Sequence, residues 1–223
     1  MLRHVRCRSI SYRAEPAANP AAGAGVTLTK GASQMRVSRE TAKKNRQNVV
    51  RTASEQFRTH GYDGIGIASL MKAAGMTQGG FYKQFENKEA LECEATELAL
   101  NDNFDLWAKT TEGEGDPVAA LKEWYLSPQH LSAVGQGCAY AALAAEANRQ
   151  RPALQNIFSA AVAQQIEFLA QALGDKPDSR AEAIQTMSQM IGALILARSV
   201  NDEDLQQEIL TAAKSPAIQN HSE

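Results

Sequence analysis

The sequence predicts an all-α protein, and three observations support that class. Alanine, glutamine, glutamate and leucine, which are strong helix formers, dominate the chain after residue 36, where glycine and proline are sparse. Apolar residues recur there at the three- and four-residue spacing of a helix face. Valine, isoleucine and threonine nowhere alternate with polar residues for long, so we expect no sheet.

The charge is unevenly distributed, although the net charge of the 223 residues is only −2. Residues 36–90 carry ten basic and five acidic side chains, whereas residues 91–223 carry eight basic and nineteen acidic ones. A basic front half on an acidic body suits a domain that binds a polyanion. A solvated helical protein with uneven charge is the alternative, and charge alone does not separate the two.

Several classes of protein are disfavoured by the same sequence. No apolar run approaches the ~20 residues of a membrane span, and the arginine-rich N-terminus lacks the apolar core of a secretory signal. The cysteines Cys7, Cys93 and Cys138 are far apart and lack zinc-ligand spacing. No phosphate loop, GxSxG or HExxH pattern occurs. We therefore expect a cytoplasmic protein without metal, cofactor, disulfide or membrane partner, and not an enzyme.

Residues 1–34 are predicted to be a disordered basic tail. Prolines and glycines punctuate an alanine-rich stretch that has no helical stripe. Regular structure is expected to begin just after Met35. A tail of this kind directly before an internal methionine is the pattern that a mis-assigned start codon would produce. An organelle transit peptide is the alternative interpretation of this segment.

Three helices are predicted next. The first begins at Ser38 as its N-cap and ends at Gly61 in a left-handed cap. Its buried stripe recurs at four-residue spacing: Val49, Ala53 and Phe57. Two short helices follow, over residues 67–74 and from Thr77 to Phe85.

The rest of the chain is predicted to be an antiparallel helical bundle. Asn87 caps a long helix, and the stretch TEGEGDP at residues 111–117 forms a loop. The expected helices lie near residues 88–109, 118–126, 137–150, 152–173, 179–199 and 202–213.

The two short helices have the size and turn chemistry of a helix-turn-helix, with Gly75 free to take a positive φ in the turn. In the second helix, Phe81 and Phe85 lie four residues apart and must face the core. The opposite face then offers polar donors and one flat aromatic ring, as a recognition helix presents to the major groove. The residues expected to contact DNA are Gln78, Gly79, Gly80, Tyr82, Lys83 and Lys88.

These expectations have plainer alternatives. Gly79 and Gly80 would let the backbone approach DNA closely, or they would merely weaken a helix that packing tightens. Tyr82 is either a phosphate contact or a half-buried tyrosine. Lys88 is either part of a phosphate site at a helix N-terminus or an ordinary surface lysine.

This part of the chain closely resembles the TetR family of repressors. The resembling residues 45–91 read NRQNVVRTASEQFRTHGYDGIGIASLMKAAGMTQGGFYKQFENKEAL and make up about a fifth of the chain. The family pattern is matched in order and spacing by Phe57, Gly61-Tyr62, Ile67-Ala68, Ala74-Gly75-Met76-Thr77, Gly79, Tyr82, Phe85, Lys88 and Leu91. Gly66 and Gln84 depart from it, where the family usually has a phosphate-binding threonine and often a histidine.

The resemblance implies a homodimeric repressor. Three-helix heads, here residues 36–87, would read successive major grooves of double-stranded operator DNA. Residues 88–223 would form a body that dimerises and binds a small-molecule effector, which we expect to be largely apolar. Binding of this effector would release the protein from its operator.

Two sets of body residues are candidates for these roles. Aromatic residues are expected to line the effector pocket: Trp107, Trp124, Tyr125 and Tyr140. A broad apolar stripe is expected to form the dimer interface: Ile184, Met187, Ile191, Leu194 and Ile195. Plain core packing is the alternative for both sets. An enzyme or redox sensor built on Cys138 and His130, and a protein-interaction module with a degenerate head, are the competing functions.

Overall fold

The computed structural model describes residues 30–149, 152–174 and 176–215, and every regular element in these ranges is a helix. The expectation of an all-α fold is therefore confirmed. The first helix, α1 (Lys30–His60), begins earlier than the predicted start at Ser38. Neither proline nor glycine interrupts the chain between Gly31 and Gly61, so nothing in the backbone stops the helix there. The rest of the predicted tail lies outside the described residues.

The chain divides into two units within α1, between Asn48 and Val49. The described part of the first unit is helical, and Lys44 pairs there with Glu40 one turn away, at 4.0 Å between Nζ and Oε1. Such an exposed pair contributes little to stability. All features considered below belong to the second unit.

The second unit begins with the predicted buried stripe of α1, since Val49, Ala53 and Phe57 are each at most 1% exposed. Gly61, at φ +76°, ends the helix, and its N–H donates to the carbonyl of Phe57 at 2.8 Å. Tyr62 then packs against Phe57, with 5.3 Å between the ring centroids.

The helix-turn-helix consists of α2 (Ile67–Ala73) and a 3-10 helix (Gln78–Lys83). Gly75 takes the expected positive φ, +71°, in the turn between them. The second helix is shorter and more tightly wound than the α-helix predicted from Thr77 to Phe85. Two consecutive glycines, each costing about 1 kcal/mol relative to alanine in an α-helix, account for the difference.

Seven helices form the rest of the second unit. They are α3 (Lys88–Thr111), α4 (Pro117–Tyr125), α5 (Pro128–Ser132), α6 (Ala139–Ala147), α7 (Pro152–Ala172), α8 (Ser179–Ser199) and α9 (Glu203–Lys214). Helix α3 packs against α4, α6 and α7, and α8 packs against α6, α7 and α9. The predicted boundaries hold to within three residues, except that α5 was not expected. None of the described helices is long and apolar enough to cross a membrane.

Candidate nucleic-acid interface

The face predicted to read DNA lies on the 3-10 helix. Phe81 and Phe85 are buried and stacked, with 5.4 Å between their ring centroids, and they anchor the segment in the core. Tyr82, which lies between them in sequence, is 67% exposed. Gln78 and Lys83 are also exposed. The anchored side and the exposed side are thus separated as the sequence predicts.

The two glycines of this segment differ in their surroundings. Gly79 is exposed, and a Cβ atom added to it would meet no atom within 4 Å. Gly80 is half-buried, and an added Cβ would lie in ordinary contact with Met71, Met76 and Thr77, at 3.7–4.0 Å. Neither glycine is required by internal packing, and the role of Gly79 in close approach to DNA stays a prediction.

Lys88 lies apart from the exposed face. It is the first residue of α3, its side chain is 26% exposed, and its Nζ donates to the carbonyl of Tyr62. The same Nζ is 3.7 Å from a carboxylate oxygen of Glu92. Through these contacts Lys88 joins α3 to the turn after α1, and its role at a phosphate stays a prediction.

Tyr62 is the centre of this junction. Its backbone N–H donates to Oε2 of Glu146 on α6 at 2.9 Å, and its hydroxyl shares a hydrogen bond with Thr96 on α3 at 2.7 Å between the oxygens. Together with the contact from Lys88, these bonds fasten the end of α1 to α3 and α6. Sequence reasoning missed Glu146 and Thr96, because their partner is distant in the chain.

Of the four aromatic residues predicted to line a pocket, Trp107, Tyr125 and Tyr140 lie in the core of the body, and the half-buried Trp124 packs against it. Trp107 and Tyr125 pack edge to face, with ring centroids 5.7 Å apart, while Trp124 stacks on His130 at 5.0 Å. Tyr140 lies against Phe158 instead. The hydroxyl of Tyr140 and Nε2 of Gln165 are buried and have no hydrogen-bond partner among the described residues.

His130 and Cys138 are brought together, but not as a catalytic pair. The backbone N–H of Cys138, rather than its thiol, donates to Nε2 of His130 at 3.1 Å. Burial lowers the pKa of His130 and raises the pKa of the Cys138 thiol. A buried, protonated thiol is a poor nucleophile. Among the described residues, no three side chains of metal-binding type are grouped as a metal site requires.

The predicted dimer residues fall on two different faces of α8. Ile184 and Ile195 are 43% and 45% exposed, and Ile191 is half-buried. Met187 and Leu194 are 5% and 0% exposed, inside the core of the same chain. The latter two therefore have no area left for a partner, and the expected stripe divides into a core face and an outer face.

Comparison with known proteins gives a consistent result for the N-terminal part of the second unit. Residues 49–92 match the model for bacterial regulatory proteins of the tetR family. The chain is 29% identical over 89 residues to the HTH-type transcriptional regulator AcrR of Shigella flexneri. This matched region covers 40% of this chain and 41% of that protein. It is 28% identical over 93 residues to the HTH-type transcriptional repressor DhaR of Mycobacterium sp. strain GP1, covering 42% and 47%. The matched regions span less than half of either relative.

Solved structures extend the likeness in fold over most of the chain. A TetR transcriptional regulator from Chloroflexus aurantiacus J-10-FL superimposes with a TM-score of 0.69 and 24% identity, covering 78% of this chain and 94% of that one. The reduced form of E. coli NemR superimposes with a TM-score of 0.66 and 21% identity, and the match covers 77% of this chain and 93% of that one. The predicted resemblance to the TetR family and the predicted fold class are thereby confirmed.

Proposed function

We propose that this chain, whose N-terminal domain is of the TetR family, is a homodimeric, cytoplasmic transcriptional repressor that a small molecule releases from operator DNA. The observation that carries the proposal is the two-sided segment Gln78–Lys83, which is anchored by buried phenylalanines and exposes polar and aromatic groups. A recognition segment needs this combination, because the exposed groups must be held in a fixed register against the major groove.

The exposed side chains differ in what they would contact. Tyr82 is proposed to bind a phosphate, while Gln78 and Lys83 reach base edges. The open space at Gly79 is proposed to let the backbone of the 3-10 helix approach the DNA. A contact to a base edge is worth about 1–3 kcal/mol of discrimination between sequences, whereas a phosphate contact affects all sequences alike.

The effector is proposed to bind beside the aromatic residues of the body and to be largely apolar. Trp107, Tyr125 and Tyr140 supply apolar surface. The unpartnered hydroxyl of Tyr140 and the unpartnered amide of Gln165 are the few polar groups that would orient a ligand there. A ligand changes DNA affinity only by binding one arrangement of the heads better than another, so operator DNA must weaken effector binding by the same factor.

The proposal is tested by selecting DNA fragments that the full-length protein retains and measuring its affinity for the selected duplex. Repressor function requires sequence-specific binding, and we expect Lys83→Ala to weaken binding to the selected duplex about 10-fold or more while a random duplex is less affected. Lys176→Ala, in the exposed loop before α8, is the matched control. Failure to bind any duplex at moderate salt would instead favour a protein-interaction module.

A further inference from the structure

A polar cleft of about 250 Å³ lies between the C-terminal half of α1 and the middle of α3, and none of its lining residues belongs to either proposed site. Its walls come from three parts of the chain. The residues that line it are Arg51, Ser54, Glu55, Arg58, Asp102, Asn103, Leu106 and Gln136. Seven of the eight side chains are polar or charged, so the cleft is suited to a hydrophilic molecule rather than to the apolar effector of the body.

The wall formed by the loop before α6 is rigidly built. The guanidinium Nε of Arg58 donates to the carbonyl of Gly135 at 2.7 Å. A Cβ atom added to Gly135 would come within 2.7 Å of the Thr59 hydroxyl oxygen and 3.3 Å of the Glu55 carbonyl oxygen, so the loop lies directly on α1. From the opposite wall, Oδ1 of Asn103 accepts from the N–H of Ala139 at 2.7 Å. The cleft is therefore part of the folded structure and not a gap at a loose loop.

The floor of the cleft carries an unused hydrogen-bonding group. Ser54 is only 2% exposed, and its hydroxyl has no hydrogen-bond partner among the described residues. Arg58, 7% exposed, lies one helical turn further along the same face of α1. A buried hydroxyl without a partner costs free energy, which a bound molecule that reaches it would recover.

The cleft is lined by two basic and two acidic side chains, Arg51, Arg58, Glu55 and Asp102. Burial raises the pKa of the Asp102 carboxyl, and the nearby Arg58 and Arg51 oppose this rise. Nevertheless, no direct ion pair joins Asp102 to either arginine among the described side chains. The two positive charges of Arg51 and Arg58 on α1 thus face the carboxylate of Asp102 on α3 without an ion pair between them, and Glu55 lies on α1 beside the arginines.

We propose that this cleft binds a small zwitterion of the α-amino acid class. Its carboxylate would pair with Arg51 and Arg58, its ammonium group with Asp102, and one of its oxygens would accept from Ser54. A simple anion would be repelled by Asp102 and Glu55, and a simple cation by the two arginines, so only a molecule that carries both charges is complementary. Such a ligand would bridge α1 and α3.

The experiment is calorimetric titration of the full-length protein, without DNA, against each common L-amino acid. The best-binding amino acid is then compared with its decarboxylated amine and with its deaminated acid. We expect the amino acid to bind at least about 10-fold more tightly than either analogue, because each analogue leaves one charge of the cleft unpaired. Failure of every amino acid to bind at millimolar concentration, or equal binding by an analogue, would overturn the proposal.

Variants locate the binding. Ser54→Ala should weaken the amino acid about 5-fold, the effect of one net hydrogen bond. Asp102→Asn should weaken the amino acid but strengthen the deaminated acid, which reverses the preference of the wild type. Arg180→Gln, an exposed arginine on α8, should leave both affinities unchanged. Binding that survives Asp102→Asn with its preference intact would place the ligand elsewhere, and since no DNA is present, the result is independent of the proposed repressor function.

Discussion

Glu146 of α6 holds the backbone of Tyr62, the second residue after α1, with 2.9 Å between its Oε2 and the Tyr62 nitrogen. The carboxylate of Glu146 also lies against the neighbouring Gly61, since a Cβ atom added to Gly61 would collide with it. The helix that precedes the helix-turn-helix is thus fastened to a body helix by a charge-assisted hydrogen bond. A shift of α6 would therefore displace the end of α1.

We expect Glu146→Ala to weaken the attachment of α1 by about 1.5–3 kcal/mol, the usual contribution of a hydrogen bond to a charged group. Glu146→Gln keeps an acceptor oxygen and should retain most of it. Hydrogen exchange at the amide of Tyr62 measures the effect directly, and the affinity for operator DNA measures its consequence. Equal protection of this amide in the wild type and in Glu146→Ala would show that the carboxylate does not hold the turn.

Tyr82 and Lys88 should behave differently when mutated. Tyr82 is 67% exposed and touches the core only through the edge of the Phe81 ring, 5.1 Å between centroids, so Tyr82→Ala should weaken DNA binding and change the melting temperature little. Lys88 is paired internally, so Lys88→Ala should lower the melting temperature as well. Thermal unfolding and DNA titration over a range of salt concentrations separate the two effects. If Lys88→Ala reduces the salt slope by about one without loss of stability, its ammonium group binds a phosphate after all.

The two faces of α8 give opposite expectations for neighbouring residues. Ile195→Glu places a charge on the exposed face and should yield a folded monomer. Leu194→Glu places it in the core, where even truncation of a leucine costs about 2–5 kcal/mol, and should unfold the protein. Light scattering gives the oligomeric state and circular dichroism the fold. A stable dimer of the Ile195→Glu variant would move the interface away from this face.

His130 should make stability depend on pH. Its Nε2 accepts from the N–H of Cys138, and its Nδ1 lies 2.7 Å from the carbonyl oxygen of Tyr125, so the neutral ring is the form that fits. Burial lowers its pKa below the ordinary 6.5, an effect that Arg198 reinforces. In the pH range between the lowered pKa and about 6.5, His130 is protonated in the unfolded chain but neutral in the folded chain. The free energy of unfolding therefore falls as the pH drops below about 6.5.

This loss is at most about 1.4 kcal/mol per pH unit for one group. Urea unfolding of the wild type at several pH values between 7 and 5, compared with the His130→Gln variant, measures it; pH 7 and pH 5 are about the limits within which an ordinary histidine titrates. Glutamine offers a donor and an acceptor but no titration, so its curve should be flatter over this range. Parallel curves for the two proteins would assign the pH dependence to other groups.

Most of the helices follow from local signals in the sequence. The buried stripe of α1 has regular spacing. Gly61 ends α1 and Gly75 forms the turn because glycine readily takes a positive φ, and the side chain of Asn87 caps α3, each as the residue type predicts. Helix α5 was missed because five residues are too few to show a stripe. Its signals were Ser127, whose hydroxyl accepts from the N–H of His130, and a proline at the first helical position.

The parts that sequence reasoning missed depend on contacts between distant residues. The two faces of α8 are both apolar in sequence, and only packing shows that Leu194 is covered and Ile195 is not. The charges of Arg58 and Asp102 each look like ordinary surface groups until α1 and α3 are brought side by side. The contact of Lys88 with the carbonyl of Tyr62 was missed for the same reason, since the two residues are 26 apart in the chain.

The arrangement of the 3-10 helix also bears on how such a protein can diverge after gene duplication. Its attachment depends on Phe81 and Phe85, whereas Gln78, Tyr82 and Lys83 are exposed, and of these Tyr82 packs edge-on against Phe81. Under the proposed function, changes at Gln78 and Lys83 leave the head folded and alter the DNA sequence that it prefers. A duplicated copy can therefore acquire a new set of target genes by a few exposed substitutions, while both copies keep the same core.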